Sequence, residues 1–353
     1  MAEAETGDGE EIPLVALTRD VTGDLEIVTE DVDDLVEAAE FLDDLDDATH
    51  DVVASDVEFT FSVAAPDPLR AQQYALDNVA FEAAWATADG TGTKIAILDT
   101  GVIGSHVDLD AAGKIQPGAD FVQPGNGTND QHGHGTHVAG IAAADAEDGS
   151  GIHGAAKGAQ IVPVRVLDEC GVGLLSDVAA GVEWAADQGV DVINMSLGSG
   201  TDSPVLEGVI NDAVNTHNVV VVAAAGNLGT SAPRYPAAYT NVMGVGAIDP
   251  ANQHASFSST GVNVEISAPG SSGGGFAGVL STLNTGDWGN KIGTSMASPY
   301  VAAAAAMVRQ AFPGCSVAGV RALLNSTADP LGPANLFGSG RVDPLGAVTA
   351  ASC

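Results

Sequence analysis

Lys94-Ile95-Ala96-Ile97-Leu98-Asp99-Thr100-Gly101 is a short β-branched and apolar run that stops on an acid, a threonine and a glycine. A strand that is apolar at almost every position has no solvent face, which predicts a strand inside a parallel sheet covered on both sides. Asp99 then falls at the carboxyl edge of that strand, where open α/β sheets build their sites. Runs of the same character recur at 161–166, 192–196, 219–224 and 242–246, and Ala-rich helical stretches separate them at 135–144, 177–186 and 206–215. This alternation predicts an α/β fold, a doubly wound parallel sheet. With 353 residues the chain can build one large domain of that kind and a small appendage.

Two further islands give Asp99 chemical meaning. One is His132-Gly133-His134-Gly135-Thr136-His137-Val138-Ala139-Gly140, and the other is Gly293-Thr294-Ser295-Met296-Ala297-Ser298-Pro299. A serine hydroxyl is a poor nucleophile at neutral pH. Acyl transfer therefore needs a histidine to take its proton and a carboxylate to hold that histidine in the right tautomer. Taken singly, each island has an ordinary reading: a solvated strand end, a loop histidine, a chance Gly-Thr-Ser. Together, in the order Asp99, His134, Ser295, they form a charge-relay set. Ser295 opens a helix expected over 295–310, with Pro299 in the first turns, where a missing N–H is tolerated. The positive end of that helix, and the Ser295 N–H, lie where an oxyanion would form.

These islands resemble the subtilisin-like serine proteases (subtilases, peptidase family S8), and within them the thermitase-like branch. The Asp, His, Ser order is that of subtilisin, not of chymotrypsin or the α/β-hydrolases. The resemblance implies a serine endopeptidase with an acyl-enzyme intermediate, acting on protein or peptide substrates with broad specificity. It maps Asn227, in Ala223-Ala224-Ala225-Gly226-Asn227, onto the amide that stabilises the tetrahedral intermediate. In subtilisin, losing that amide costs roughly 10²–10³ in turnover. It also implies that Asn194-Met195-Ser196-Leu197-Gly198 pairs with the substrate backbone as an added strand, leaving selectivity to side-chain pockets. The walls of the first pocket are expected from Ser196-Leu197-Gly198 on one side and Ala223-Ala224-Ala225-Gly226, chiefly Ala224 and Gly226, on the other. Arg234 aligns near the pocket floor, where it would favour acidic or polar side chains; an arginine facing solvent or a surface carboxylate is the alternative. Tyr235-Pro236 matches a position where the family has a cis peptide bond.

No cofactor for catalysis is implied, but structural calcium is. The resemblance maps calcium ligands onto Asp67, Asp108 and the loop Asp145-Ala146-Glu147-Asp148-Gly149, with Asp145 and Glu147 as its carboxylates. Calcium takes six to eight oxygen ligands, which clustered acids and flexible glycines can supply. Zinc is not expected, because His132, His134 and His137 do not follow the His-Glu-x-x-His spacing.

Composition frames these expectations. The net charge is −36, and residues 1–60 hold 21 Asp and Glu against Arg19 alone, a balance of −20; the remainder carries 26 acids and 10 bases, or −16. Such acidity argues against nucleic-acid or anionic-membrane partners and suits a salty or calcium-rich medium. A boundary falls at residues 61–68, so the expected domains are an acidic propeptide-like segment, 1–62, and a subtilisin-like catalytic domain, 67–353. Strands at 12–18, 25–28 and 51–61 and an amphipathic helix at 32–45 make the first a small α+β unit, which the resemblance casts as an intramolecular inhibitor. No basic region followed by an apolar stretch comes after Met1, so a secretory signal is not present in this sequence. The resemblance nonetheless implies a secreted monomer. Of three cysteines, Cys315 and Cys353 could close one bridge and leave Cys170 alone. Two alternatives in function remain open at this point: a maturation protease dedicated to one partner, and a catalytically silent binding protein on the same fold.

Overall fold

The chain divides into two compact units, residues 1–63 and 64–353. A computed structural model describes residues 12–20, 25–32, 38, 40–42, 50–57, 67–125 and 128–353. In the first unit, β1 (Ile12–Asp20), β2 (Leu25–Val32) and β3 (His50–Val57) form an antiparallel sheet in the order β2-β1-β3. Leu14 faces Glu30 on one side and Val57 on the other, and a register shift interrupts the β1–β3 pairing at Leu17/Thr18. Ala38, Glu40, Phe41 and Leu42 are helical. Strand β2 runs on to Val32, where the sequence pattern starts the helix, and most of the expected helix at 32–45 lies outside the described residues. So does the end of the third strand, Phe59 to Phe61.

In the second unit a seven-stranded sheet forms the middle layer. Its strands are β4 (Lys94–Asp99), β5 (Ala119–Asp120), β6 (Gln160–Arg165), β7 (Val192–Met195), β8 (Val220–Ala224), β9 (Val242–Ile248) and β10 (Ile266–Pro269). They are parallel throughout and ordered β10-β9-β8-β7-β4-β6-β5. Ile95 pairs with Ile161 on one side and Val192 on the other, so β4 is buried by neighbours as its apolar run requires. The chain builds outward from β4 first through β5 and β6 and then, on the other side, through β7 to β10. That reversal places the carboxyl end of β4 at a topological switch point, the usual position of a site in such sheets.

Helices α1 (His134–Ala143), α2 (Leu175–Asp187), α3 (Pro204–Asn215), α4 (Thr294–Ala311) and α5 (Val317–Thr327) complete the layers. Ser203 caps α3 by accepting the Leu206 N–H at 3.3 Å, and Pro204 follows in the first turn, where its lack of an N–H costs nothing. Helix α4 is buried from Met296 to Arg309 and packs on β7, β8 and β9. Its run Ala302 to Ala306 is wholly buried, and such small side chains let a helix axis approach a sheet closely. No helix among the described residues is long and apolar enough to cross a membrane.

Several elements carried no clear sequence signal. Strand β5 has two residues, β10 ends on Pro269, and the β11 (Val279–Thr282) and β12 (Trp288–Lys291) hairpin reads as polar loop. Cys315 and Cys353 form a disulfide with Cα atoms 5.6 Å apart, while Cys170 is free and exposed.

Candidate active site

Asp99, the last residue of β4, is fully buried. Its Oδ1 accepts the Thr100 N–H at 2.8 Å and the His134 Nδ1–H at 2.7 Å. A carboxylate can only accept, so the neutral imidazole carries its proton on Nδ1 and keeps a lone pair on Nε2. Burial alone would push the His134 pKa down. The Asp99 charge and hydrogen bond outweigh it and hold the pKa above the ordinary histidine value.

His134 is also the first residue of α1, and a second buried carboxylate sets that helix start. Asp130 Oδ1 accepts the N–H groups of His132 (3.0 Å) and Gly133 (2.7 Å) and the Thr100 hydroxyl (2.8 Å). Its Oδ2 accepts the N–H (2.9 Å) and hydroxyl (2.7 Å) of Thr136. Donors that a helix N-terminus leaves without partners are thereby satisfied, with an anion at the positive end of the dipole. Gly135 has to be glycine here: a Cβ would sit 2.1 Å from the Gly101 carbonyl oxygen.

Ser295 lies one residue into α4 and is tied to the end of β7. Its hydroxyl donates to Ser196 O at 3.1 Å, and the Ser196 hydroxyl donates to Ser295 O at 2.9 Å. Ser298 Oγ donates to Asn194 Oδ1 at 2.7 Å, and Asn194 Nδ2 donates to Ser196 Oγ at 3.0 Å. Among the described residues no hydrogen bond joins Ser295 to His134. The Asn227 side chain, beyond β8, is oriented by Thr294: its Oδ1 accepts both the N–H and the hydroxyl of that residue, each at 2.9 Å. With the carbonyl oxygen so engaged, Nδ2 is left to donate elsewhere.

Ser295, Asn227, Thr294, Ser196, Leu197, Gly198, Ala224, Gly226, Leu228 and Arg234 line one cavity of about 290 Å³. Of the pocket residues expected from the sequence, Ser196, Leu197, Gly198, Ala224, Gly226 and Arg234 share this cavity with Ser295, while Ala223 and Ala225 do not line it. A larger cavity of about 730 Å³ shares Ser196, Leu197 and Gly198 with it and extends past His134 to Cys170, Val172, Leu175, Leu206 and Tyr235. Val172 and Leu175 are 63% and 47% exposed, large apolar side chains on the rim of a groove. Sequence reading missed this wall, because Val172 sits in a Gly-rich loop with no periodicity and Leu175 only opens the helix that follows it. Tyr235-Pro236 is cis, and Tyr235 exchanges backbone hydrogen bonds of 2.8 Å with Ser199.

Residues 90–340 match the Subtilase family. The chain belongs to that family. This subtilase is 43% identical over 278 residues to thermitase of Thermoactinomyces vulgaris, covering 78% of the present chain and 96% of thermitase. It is 45% identical over 254 residues to subtilisin BL of Lederbergia lenta, covering 72% and 90% respectively. A solved protease from Pseudoalteromonas arctica superposes with a TM-score of 0.75 at 34% identity, covering 82% of this chain and all of that one. MycP1 with its N-terminal propeptide removed superposes with a TM-score of 0.69 at 29% identity, covering 78% and 96%. The subtilase is accordingly a serine endopeptidase, a hydrolase that needs no cofactor for catalysis.

The four carboxylates expected to hold calcium in the subtilase are differently engaged. Asp67 accepts the N–H groups of Glu147 and Gly149, both at 2.8 Å, and pairs with His153 Nε2 at 2.9 Å. Asp145 pairs with Lys114 at 3.1 Å, and Glu147 with Lys157. Asp108 differs: Oδ2 accepts from Trp288 Nε1 (2.5 Å) and the Ile152 N–H (3.1 Å), but Oδ1 is buried without a partner. Burial raises the Asp108 pKa, and the charge of Asp148 adds to the rise. A buried oxygen without a donor is one that a cation would satisfy, whereas Asp67, Asp145 and Glu147 already accept from N–H and ammonium donors. Among the described residues no three or more His, Cys, Asp or Glu side chains converge as a metal site.

Proposed function

We propose that Ser295, His134, Asp99 and Asn227 carry out peptide hydrolysis in this subtilase. The observation that carries the proposal is the 2.7 Å bond from His134 Nδ1 to Asp99, with Asn227 oriented beside Ser295 at the mouth of one cavity. Rotation about χ1 takes the Ser295 hydroxyl from Ser196 O to His134 Nε2. Ser295 Oγ then attacks the peptide carbonyl carbon, and His134 receives its proton. Asp99 stabilises the imidazolium without taking the proton itself. The oxyanion is held by the Ser295 N–H at the α4 terminus and by Asn227 Nδ2. As the C–N bond breaks, His134 gives the proton to the leaving amine, and water releases the acyl group by the same steps in reverse order.

Substrate backbone pairs with Asn194 to Gly198 in this reading, and Ser196, Leu197, Gly198, Ala224 and Gly226 form the walls of the pocket for the residue before the scissile bond. Pairing through the main chain leaves the other subsites permissive, which suits broad protein degradation. Residues 1 to about 62 act as an intramolecular inhibitor removed by self-cleavage; MycP1, a structural neighbour, was solved with an N-terminal propeptide removed. Asp67, Asp108, Asp145 and Glu147 would hold a structural calcium, which would neutralise the unpartnered Asp108 oxygen. The enzyme is secreted and monomeric, and the Cys315–Cys353 bridge supports an oxidising destination.

Side-by-side expression of wild type and Ser295→Ala tests the core of this. Wild type should bind a fluorophosphonate probe at Ser295 and begin between Ser62 and Asp67. Ser295→Ala should fold, bind no probe, cleave nothing and keep its full N-terminus. Substantial peptidase activity in Ser295→Ala would remove the nucleophile assignment, and active wild type that retains residues 1–60 would remove the pro-segment.

A further inference from the structure

Acids outnumber bases by 47 to 11 in this chain, so an arginine that has found no carboxylate is unusual. Arg70 pairs with Asp77 and Glu82, Arg165 with Asp120, Arg321 with Glu265 and Arg341 with Asp329. Arg309 is buried and donates to the carbonyls of Asn218 and Cys315. Arg234 has no carboxylate and only one carbonyl. Among the described residues it forms no ion pair, and its Nη2 makes one long hydrogen bond to Gly198 O at 3.3 Å; its Nε, like those of Arg165, Arg309 and Arg341, is buried without a partner.

Its position is as informative as its lack of partners. Arg234 lines the cavity that contains Ser295 and Asn227, and no acidic side chain lines that cavity. The stem lies against Gly226, where φ is +99° and an added Cβ would come within 3.1 Å of Arg234 Cγ. At the other end, an added Cβ on Gly200 would come within 3.1 Å of Nη1. Two glycines therefore leave room for the guanidinium between the end of β8 and the loop after β7. The Arg234 N–H is anchored to Asn263 Oδ1 at 2.7 Å, and the Ser199–Tyr235 bridge fixes the next residue. Asp202, the carboxylate of the adjoining cavity, makes no ion pair with Arg234.

We propose that Arg234 is a specificity-determining residue that makes this subtilase prefer an acidic side chain, glutamate or aspartate, immediately before the scissile bond. The inference rests on the hydrolytic site described above. A guanidinium presents up to five donors in a planar fork that matches a carboxylate, and a substrate acid would give Arg234 the partner the protein withholds. Loss of one charge-assisted hydrogen bond corresponds to roughly a ten- to hundredfold change in kcat/KM. The pocket charge acts locally and is less screened than the diffuse negative field of the molecule. A one-charge variant scarcely alters that field, so comparison at one ionic strength isolates the pocket.

The test is a peptide series identical except for Glu, Asp, Gln, Leu or Lys before the cleaved bond, assayed with wild type, Arg234→Gln and Arg234→Lys. Wild type should favour Glu over the isosteric Gln by tenfold or more in kcat/KM. In Arg234→Gln the ratio should fall to near one, and Arg234→Lys should retain part of it. Fluorophosphonate labelling of Ser295 verifies an assembled site in each protein; if Arg234→Gln does not label, the wild-type ratio and Arg234→Lys decide. A wild-type ratio near one, or a ratio undiminished in Arg234→Gln, overturns the proposal. Wild type that labels but shows no acidic preference contradicts only the Arg234 role. Wild type that neither labels nor cleaves any peptide contradicts the hydrolytic site beneath it.

Discussion

Thr294 gives both its N–H and its hydroxyl to Asn227 Oδ1, each at 2.9 Å, and its hydroxyl in turn accepts the Gly226 N–H at 3.0 Å. An amide can rotate to present either end. With Oδ1 held twice by the residue preceding Ser295, Nδ2 must face the cavity. In the proposed mechanism Thr294 is therefore a positioning residue for Asn227, preorganising a donor before charge develops.

Thr294→Val removes the hydroxyl and leaves the N–H. Turnover should fall roughly tenfold or more with KM little changed, and Asn227→Ala should cost roughly 10²–10³ in turnover. Because both act on one amide, the double variant should be scarcely worse than Asn227→Ala alone, a coupling that steady-state kinetics on all four proteins would detect. Additive losses would separate Thr294 from the oxyanion.

The raised His134 pKa has a definite consequence for pH dependence. His134 must be neutral to accept the serine proton, so kcat/KM should rise with pH through an acid limb whose midpoint lies above the ordinary histidine value. Stability runs the opposite way: the Asp99–His134 contribution is full below the unfolded-state pKa and is lost as pH rises through the folded one. Asp99→Asn should shift the acid limb downward as well as reduce the rate. A limb below the ordinary value in wild type would contradict the pairing.

His137 is buried, donates from Nε2 to Gly289 O at 3.0 Å, and has its pKa pushed down to about 3, chiefly by burial. Here the unfolded chain binds the proton more tightly, so stability is lost as pH falls from the ordinary histidine value towards about 3. At about 1.4 kcal/mol per pH unit the loss approaches roughly 4–5 kcal/mol over that window. Urea unfolding of Ser295→Ala, which cannot digest itself, should show this slope. Adding His137→Leu should flatten it even though the Gly289 carbonyl loses its donor.

Chelation tests Asp108. A cation bound only by the folded state stabilises it by about 2.7 kcal/mol at a hundredfold excess over Kd. In a domain of this size that is roughly 4–5 °C in Tm. Excess chelator should lower the Tm of Ser295→Ala by that order, and Asp108→Asn should abolish the difference. Identical melting curves with chelator and with added calcium would remove the metal.

The sheet and three of the site's anchors were legible because their signals are local. Ile95 to Leu98 is apolar without a solvent face, the Gly-flanked His134 opens a small-residue helix, and Ser295 opens another with Pro299 tolerated in its first turns. Each of those readings needs a window no longer than the element itself, and the tertiary structure alters their ends by only a residue or two. What folding alone decided are contacts between residues far apart in the chain. Thr294 and Asn227 are 67 positions apart, Ser295 and Ser196 are 99, and nothing in either neighbourhood announces the other. The same holds for the carboxylates: the resemblance puts Asp67, Asp108 and Asp145 in one ligand set, but His153 and Lys114 reach Asp67 and Asp145 through space, while one oxygen of Asp108 is left unpartnered. Arg234 is the clearest instance. Its sequence neighbours allowed a surface ion pair or a pocket charge equally, and only the packing of Gly226 and Gly200 around its side chain places that charge beside Ser295. Local periodicity and capping act through neighbouring backbone and so can be read in order, whereas electrostatic partners are chosen by distance in three dimensions, which the linear chain does not contain.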